Sequence, residues 1–319
     1  MRARPHGVTG LGVFILVLGA ALIAASIALS RPTARAALEA ILPGASDRDE
    51  VAAPMPEAVL LAAGDIGTCE GGGGEATAEL VERIPGTVAA LGDNVYENGS
   101  ADEYANCYAP HWGRLLSRTK PAVGNHEYHS DSAAPYFAYF GEAAGTAGRG
   151  WYSYDLGSWH VVVLNSNCAE VGGCGGGSAQ WLWLRADLAA HPASCTLAYW
   201  HAPRFSSGEH GPAKDMVDVW RVLYDAGAEA VISGHDHEYE RFAPQDPVGG
   251  RDDARGIRQF VVGTGGGELR AVSGTAPNSE ELITHTYGVM RLDLYPDRFA
   301  WSFLSVRGAT LDSGSADCH

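Results

Sequence analysis

The sequence predicts an α+β domain of layered β-sheets flanked by helices, preceded by an N-terminal transmembrane or signal segment. Three observations carry this. Apolar runs of about five residues recur and end in Gly, Asp, Asn or His, as buried strands do. Helical patterns separate several of them. The C-terminal part then turns strand-rich. Composition bounds the rest. The chain has 319 residues, 46% hydrophobic and 19% charged, enough to bury a sizeable core. Its 38 acidic residues oppose 22 Lys plus Arg, a net charge of −16. That excludes the electrostatic footprint of a general nucleic-acid binder and argues against a basic lipid-binding surface. The 41 glycines show no period of three, so collagen is out. No repeat at solenoid spacing is present.

Residues 1–29 read as a signal or anchor segment. Within it, residues 8–29 carry no charge. As a helix they would reach about 33 Å, enough for a bilayer core of about 30 Å. Arg2 and Arg4 precede the span, as in a signal peptide. A cleaved signal usually has an apolar core of only about 7–15 residues, which favours an uncleaved anchor. Ala34-Arg35-Ala36 would serve as a cleavage site for the other reading. Either way the rest of the chain is expected outside the cytoplasm, meeting a membrane only through its N-terminus. Residues 30–56, rich in Ala, Pro and charge, read as a linker, and residues 57–319 as one domain. Six cysteines, an even count, fit disulfides in an exported protein. The preferred set is Cys69–Cys107, Cys168–Cys174 and Cys195–Cys318. The second closes a glycine-rich loop, and the third would staple the C-terminal tail to a core strand.

In chain order, the expected strands are Val59–Ala63, Val88–Leu91, Pro121–Val123, His160–Leu164, Thr196–Trp200 and Ala230–Ile232. Helices are expected over Glu75–Arg83, Gln180–His191 and Ala213–Ala226. Arg258–Val262, Gly288–Leu294 and Phe299–Val306 close the list of strands, with Tyr295-Pro296-Asp297 as a turn. The polar residues of interest sit just after strands, where open α/β sheets bind ligands.

Five clusters carry the chemistry. They are Gly64-Asp65-Ile66-Gly67, Gly92-Asp93-Asn94-Val95-Tyr96, Gly124-Asn125-His126-Glu127, His201, and Gly234-His235-Asp236-His237. Singly, each is readable as a polar turn. Together they supply carboxylates, a carboxamide, a phenol and imidazoles, enough for two metal ions. Oxygen and nitrogen donors without thiolate suit Fe, Zn or Mn. Two metals about 3.5–4 Å apart serve in-line displacement at phosphorus.

These blocks resemble the calcineurin-like metallophosphoesterase superfamily. Tyr96, three residues after Asp93, is similar to the purple acid phosphatase branch. So are His201-Ala202-Pro203-Arg204-Phe205-Ser206-Ser207-Gly208-Glu209-His210 and the continuation His237-Glu238-Tyr239-Glu240-Arg241. Ala198 stands where the family often has Val, at a packing position. The resemblance implies an αββα sandwich of two mixed sheets. It implies Asp65, Tyr96 and His237 on a first metal, Asn125, His201 and His235 on a second, and Asp93 bridging them. It implies Fe(III) at the Tyr96 site and Fe, Zn or Mn at the other. His126 and His210 would be catalytic, facing the phosphate outside the metal ligands. The implied function is a phosphomonoesterase that hydrolyses phosphate esters by attack of metal-bound hydroxide. A phosphodiesterase on the same core and a non-catalytic, surface-anchored binding protein are the alternatives.

Other features are read more modestly. Gly263-Thr264-Gly265-Gly266-Gly267 is either a close approach of backbone to the metal site or a turn. Glu127 either orients His126 or is exposed, and Arg204 either clamps phosphate or lies on the surface. Trp151, Tyr152, Trp181 and Trp183 are expected in the core. His111, His129, His160, His191 and His285 are expected to be structural or exposed.

Overall fold

The computed structural model describes residues 55–319. The apolar span 8–29 and nearly all of the linker read at 30–56 lie outside the described residues. Among the described residues, no helix is long and apolar enough to cross a membrane.

The strands are β1 (Ala58–Ala63), β2 (Thr87–Leu91), β3 (Thr119–Ala122), β4 (Tyr152–Leu156), β5 (Trp159–Val163), β6 (Cys195–Tyr199), β7 (Ala230–Ser233), β8 (Tyr239–Phe242), β9 (Arg258–Val262), β10 (Ser279–Ile283), β11 (Gly288–Leu294), β12 (Arg298–Ser305) and β13 (Thr310–Asp317). The main helices are α1 (Gly74–Glu82), α2 (Ala134–Phe140), α3 (Ala179–Ala190) and α4 (Val217–Asp225). One sheet has the order β13-β12-β11-β1-β2-β3, and the other β10-β8-β9-β7-β6-β5-β4. Both are mixed. β1, β2 and β3 run parallel, as do β5, β6, β7 and β9, while the remaining pairings are antiparallel.

Strand alternation builds the layers. Val161 and Val163 of β5, Leu197 and Tyr199 of β6, and Ala230 and Ile232 of β7 share one core with Leu60, Val88 and Met290 of the first sheet. The intervening Val162, Ala198 and Val231 face the other way and pack with Leu184 of α3 and Val219, Trp220 and Leu223 of α4. Helices therefore cover the outer face of the second sheet, as the sequence predicts.

Several expectations need correction. The helix read over Ala213–Ala226 starts only at Val217. Lys214–Met216 forms a tighter 3₁₀ turn after Pro212, which cannot donate a backbone hydrogen bond. β4, β8, β10 and β13 were not foreseen. Trp181 and Trp183 are only half-buried, because Gln180, Leu184 and Asp187 form the buried face of α3. The Arg185 guanidinium lies 4.7 Å from the Trp181 ring and covers it. Trp151 is buried and Tyr152 half-buried. All three preferred disulfides form, Cys69–Cys107, Cys168–Cys174 and Cys195–Cys318.

His160 is structural. Its Nδ1 lies 3.0 Å from Asp155 Oδ1 and its Nε2 2.9 Å from Asp187 Oδ2, so it pins β4 and β5 to α3. The hydrogen bond to Asp187 raises its pKa against the opposing effect of burial, and Asp155 adds to the rise. A histidine whose folded value is raised contributes stability that is complete below its unfolded value, about 6.5. That contribution is lost as pH rises through the folded value. The expected result is a melting temperature that falls between pH about 6 and about 8 more steeply in the wild type than in His160→Gln. Parallel melting curves across that range would refute it.

Candidate metal centre

Each cluster lies just beyond the C-terminal end of a strand that has a parallel neighbour. Asp65 follows β1, Asp93 and Tyr96 follow β2, and Asn125 and His126 follow β3. His201 follows β6, and His235 and His237 follow β7. Backbone bonds stitch these loops together. Asp65 N–H donates to Gly92 O (3.0 Å), Gly267 N–H to Asp65 O (2.7 Å) and Gly234 N–H to His201 O (2.9 Å). Asp65, Asp93 and His235 have φ of 61°, 45° and 72°. Non-glycine residues held in that region cost roughly 1–3 kcal/mol each and cluster at functional sites. Two glycines allow close packing. A Cβ on Gly92, where φ is +90°, would lie 2.7 Å from the His201 ring, and one on Gly267 would lie 2.9 Å from His237 Cε1. The glycine run at 263–267 is therefore a close approach to the site.

Seven side chains converge in two groups. Tyr96 Oη lies 2.8 Å from Asp65 Oδ1 and 3.0 Å from His237 Nε2. His201 Nε2 lies 3.0 Å from Asn125 Oδ1 and 3.1 Å from His235 Nδ1. Asp93 joins them, with Oδ2 3.3 Å from Tyr96 Oη and 3.1 Å from His201 Nε2. Asp65, Asp93, Tyr96, His201 and His237 are buried. His201 Nδ1 and His237 Nδ1 pair with the carbonyls of Leu91 (2.9 Å) and Glu268 (2.5 Å). Those bonds point Nε2 of each ring at the cluster, the orientation of metal-ligating imidazoles.

The electrostatics call for cations. Burial opposes charge on His201, yet the Asp93 carboxylate outweighs it and pushes His201 up to about 10. Burial and neighbouring His201 push His235 down to about 3. Burial and the carboxylates of Asp65 and Asp93 raise Tyr96 well above its ordinary value, so its phenol keeps its proton unless a cation replaces it. Two buried carboxylates, inward-facing imidazole nitrogens that a cation would deprotonate, and a phenol form a donor set that fits hard or borderline metal ions.

A cleft of about 530 Å³ opens beside this cluster, lined among others by Tyr96, His126, His237 and Arg270. His126 is about one-fifth exposed, with its side-chain figure at 22%. Its Nδ1 is 2.6 Å from Glu97 O, and its ring is 4.6 Å from Tyr96. His210 is exposed, and its ring lies 4.3 Å from that of His235. Asp236 is buried and accepts the His210 N–H (3.0 Å) and the Ser206 hydroxyl, which fixes the His210 loop.

Some placements differ from expectation. Glu127 neither orients His126 nor is exposed. It is fully buried and accepts the N–H groups of Gly124 (2.6 Å), Asn94 (2.8 Å) and Asp93 (3.1 Å) and the Tyr104 hydroxyl (3.2 Å). Burial and the negative Asp93 push it up to about 7, against the pull of the Gly124 and Asn94 donors. Arg204 does not line the cleft. It donates to Pro247 O (3.2 Å) and stacks on Phe205. His129 is exposed, as expected, and lies beside the site, with its ring 4.8 Å from His126 and its Nδ1 3.1 Å from Glu97 O. Its position three residues after His126 was the available signal.

The profile of the calcineurin-like phosphoesterase family matches residues 58–239, and the chain belongs to that family. Within it the chain is similar to purple acid phosphatases. It is 27% identical to purple acid phosphatase 15 of Arabidopsis thaliana, over 51% of this chain and 37% of that protein. It is 28% identical to purple acid phosphatase 22 of the same plant, over 63% and 51%. The chain thus spans about a third to a half of the length of these curated relatives. Among solved structures it is similar to purple acid phosphatase PPD1 from yellow lupin, with a TM-score of 0.67 at 18% identity, covering 83% of this chain and 55% of that one. A dimetal phosphatase from Danio rerio gives a TM-score of 0.57 at 16% identity, over 83% and 100%. GAP50, the anchor in the inner membrane complex of Plasmodium, gives 0.61 at 14%, over 82% and 89%.

Proposed function

We propose that residues 57–319 form the catalytic domain of an exported phosphomonoesterase of the purple acid phosphatase type. The observation that carries this reading is Asp93 Oδ2, which lies between the Asp65–Tyr96–His237 group and the Asn125–His201–His235 group. Asp65, Tyr96 and His237 would hold an iron ion, and Asn125, His201 and His235 a second ion, Fe, Zn or Mn. Asp93 would be shared. Bound there, two cations would neutralise phosphate charge and acidify water. His126, held at Nδ1 by Glu97 O, presents its ring beside Tyr96, facing the cleft. It is suited to carry a proton to the leaving oxygen, and His210 stands on the His235 side. The complete donor set argues against a binding protein that has lost turnover.

The domain purified without added metal is expected to contain iron and to show a visible band from the Tyr96 phenolate. Tyr96→Phe should lose the band. Metal-replete wild type with neither iron nor a band would sink the purple acid phosphatase assignment and leave the wider family standing. Comparing p-nitrophenyl phosphate with its bis-aryl diester tests the monoesterase reading, since faster diester turnover would reverse it. Export is tested by fractionating cells that express the full chain. Protein in the membrane fraction with its domain outside supports the anchor, protein in the medium supports cleavage, and protein in the cytosol overturns export.

A further inference from the structure

We propose that Arg270 sets the preference of this cleft for phosphate monoesters over diesters by binding the one non-bridging oxygen that a diester lacks. The proposal rests on the phosphoesterase reading above and names the feature of the substrate that the site selects. Arg270 follows the glycine run after β9, and its backbone N–H reaches His237 O (3.4 Å). Its Nη1 donates to His210 Nε2 (2.6 Å) and lies 3.5 Å from Glu209 Oε2. Among the described residues, Nε and Nη2 make no hydrogen bond to protein, so part of the planar fork is free. The side chain is about one-third exposed, its figure being 36%.

The charge around it gives the free edge its meaning. The residues lining the cleft include Glu70, Glu97, Glu103 and Glu268, and Arg270 is the sole Lys or Arg among them. An entering phosphate dianion is repelled by those carboxylates and attracted by this guanidinium, and by the cations that the Asp93 cluster would hold. A guanidinium meets phosphate oxygens with directed, charge-assisted bonds. A monoester has three non-bridging oxygens. With two held by cations that the Asp93 cluster would bind, one would be left for Arg270. A diester has only two, so it gains little from the same side chain.

The test compares wild type, Arg270→Ala and Arg270→Lys, all with metal content measured. kcat/KM is read on p-nitrophenyl phosphate and on its bis-aryl diester, and binding of inorganic phosphate by calorimetry. Arg270→Ala should keep its metals, lose about 10–100-fold on the monoester, and change less than about 3-fold on the diester. Its affinity for inorganic phosphate should fall by about 10-fold or more, and Lys should restore only part of each loss. An equal fall on both esters would show that Arg270 acts only by positioning His210, and overturns the proposal. So does unchanged monoester turnover or unchanged phosphate affinity. A wild type that binds phosphate through Arg270 but hydrolyses neither ester keeps this assignment and sinks the enzymatic one.

Discussion

Glu127→Ala is expected to destabilise the metal-free domain by about 3–5 kcal/mol, the range for breaking a buried charged network. The carboxylate accepts from three backbone N–H groups and one phenol, all in the interior. Truncation leaves these donors without a partner, and each such buried group costs roughly 1–3 kcal/mol. Glu127→Gln should fall between the two, since its oxygen still accepts while its NH₂ faces donors. Denaturant unfolding of metal-free protein with its disulfides intact is the measurement. A loss within about 1 kcal/mol of wild type for the Ala variant would remove Glu127 from its place as the hub of the Asp93 loop. Metal affinity should fall as well, because Asp93 and Asn94 owe their backbone position to this carboxylate.

The largest expected effects on activity separate the histidines. His201→Ala should lose a metal, as should His235→Ala and His237→Ala. His126→Ala and His210→Ala should keep both metals and turn over about 10²–10⁴-fold more slowly if general acid catalysis is lost. The loss should be larger on an alkyl phosphate than on p-nitrophenyl phosphate, because an alkoxide needs the proton and nitrophenolate hardly does. Metal analysis followed by kcat on the two esters decides it. Wild-type rates on the alkyl ester in both variants would exclude both residues as the acid. A metal lost from either would move that residue into the ligand set.

The candidate site was legible because each of its polar clusters is short and follows an apolar run. Gly92-Asp93-Asn94-Val95-Tyr96 announces itself within five consecutive residues. Glu127 and Arg270 did not, since their meaning lies in partners distant in sequence. Glu127 serves the backbone at Asp93 and Asn94, and Arg270 reaches back to His210. In the fold, β5, β6 and β7 were readable as apolar runs because both their faces are covered. β13, with the sequence TLDSGSAD, lies at a sheet edge and carries hardly an apolar side chain. Its pairing with β12 forms it, and no local hydrophobic pattern marks it.

The Cys195–Cys318 bridge runs from the start of β6 in one sheet to the residue just after β13 in the other. It closes a covalent ring that contains His201, His235 and His237, while Cys69–Cys107 closes a smaller one containing Asp93 and Tyr96. A protease that cuts one peptide bond inside either ring severs the backbone without releasing a fragment. Such a nick would be silent on a non-reducing gel and appear as two bands only after reductant is added. The domain clipped in an exposed loop, such as that around Val248, would therefore keep the pieces bearing Asp93, Tyr96, His201, His235 and His237 tethered.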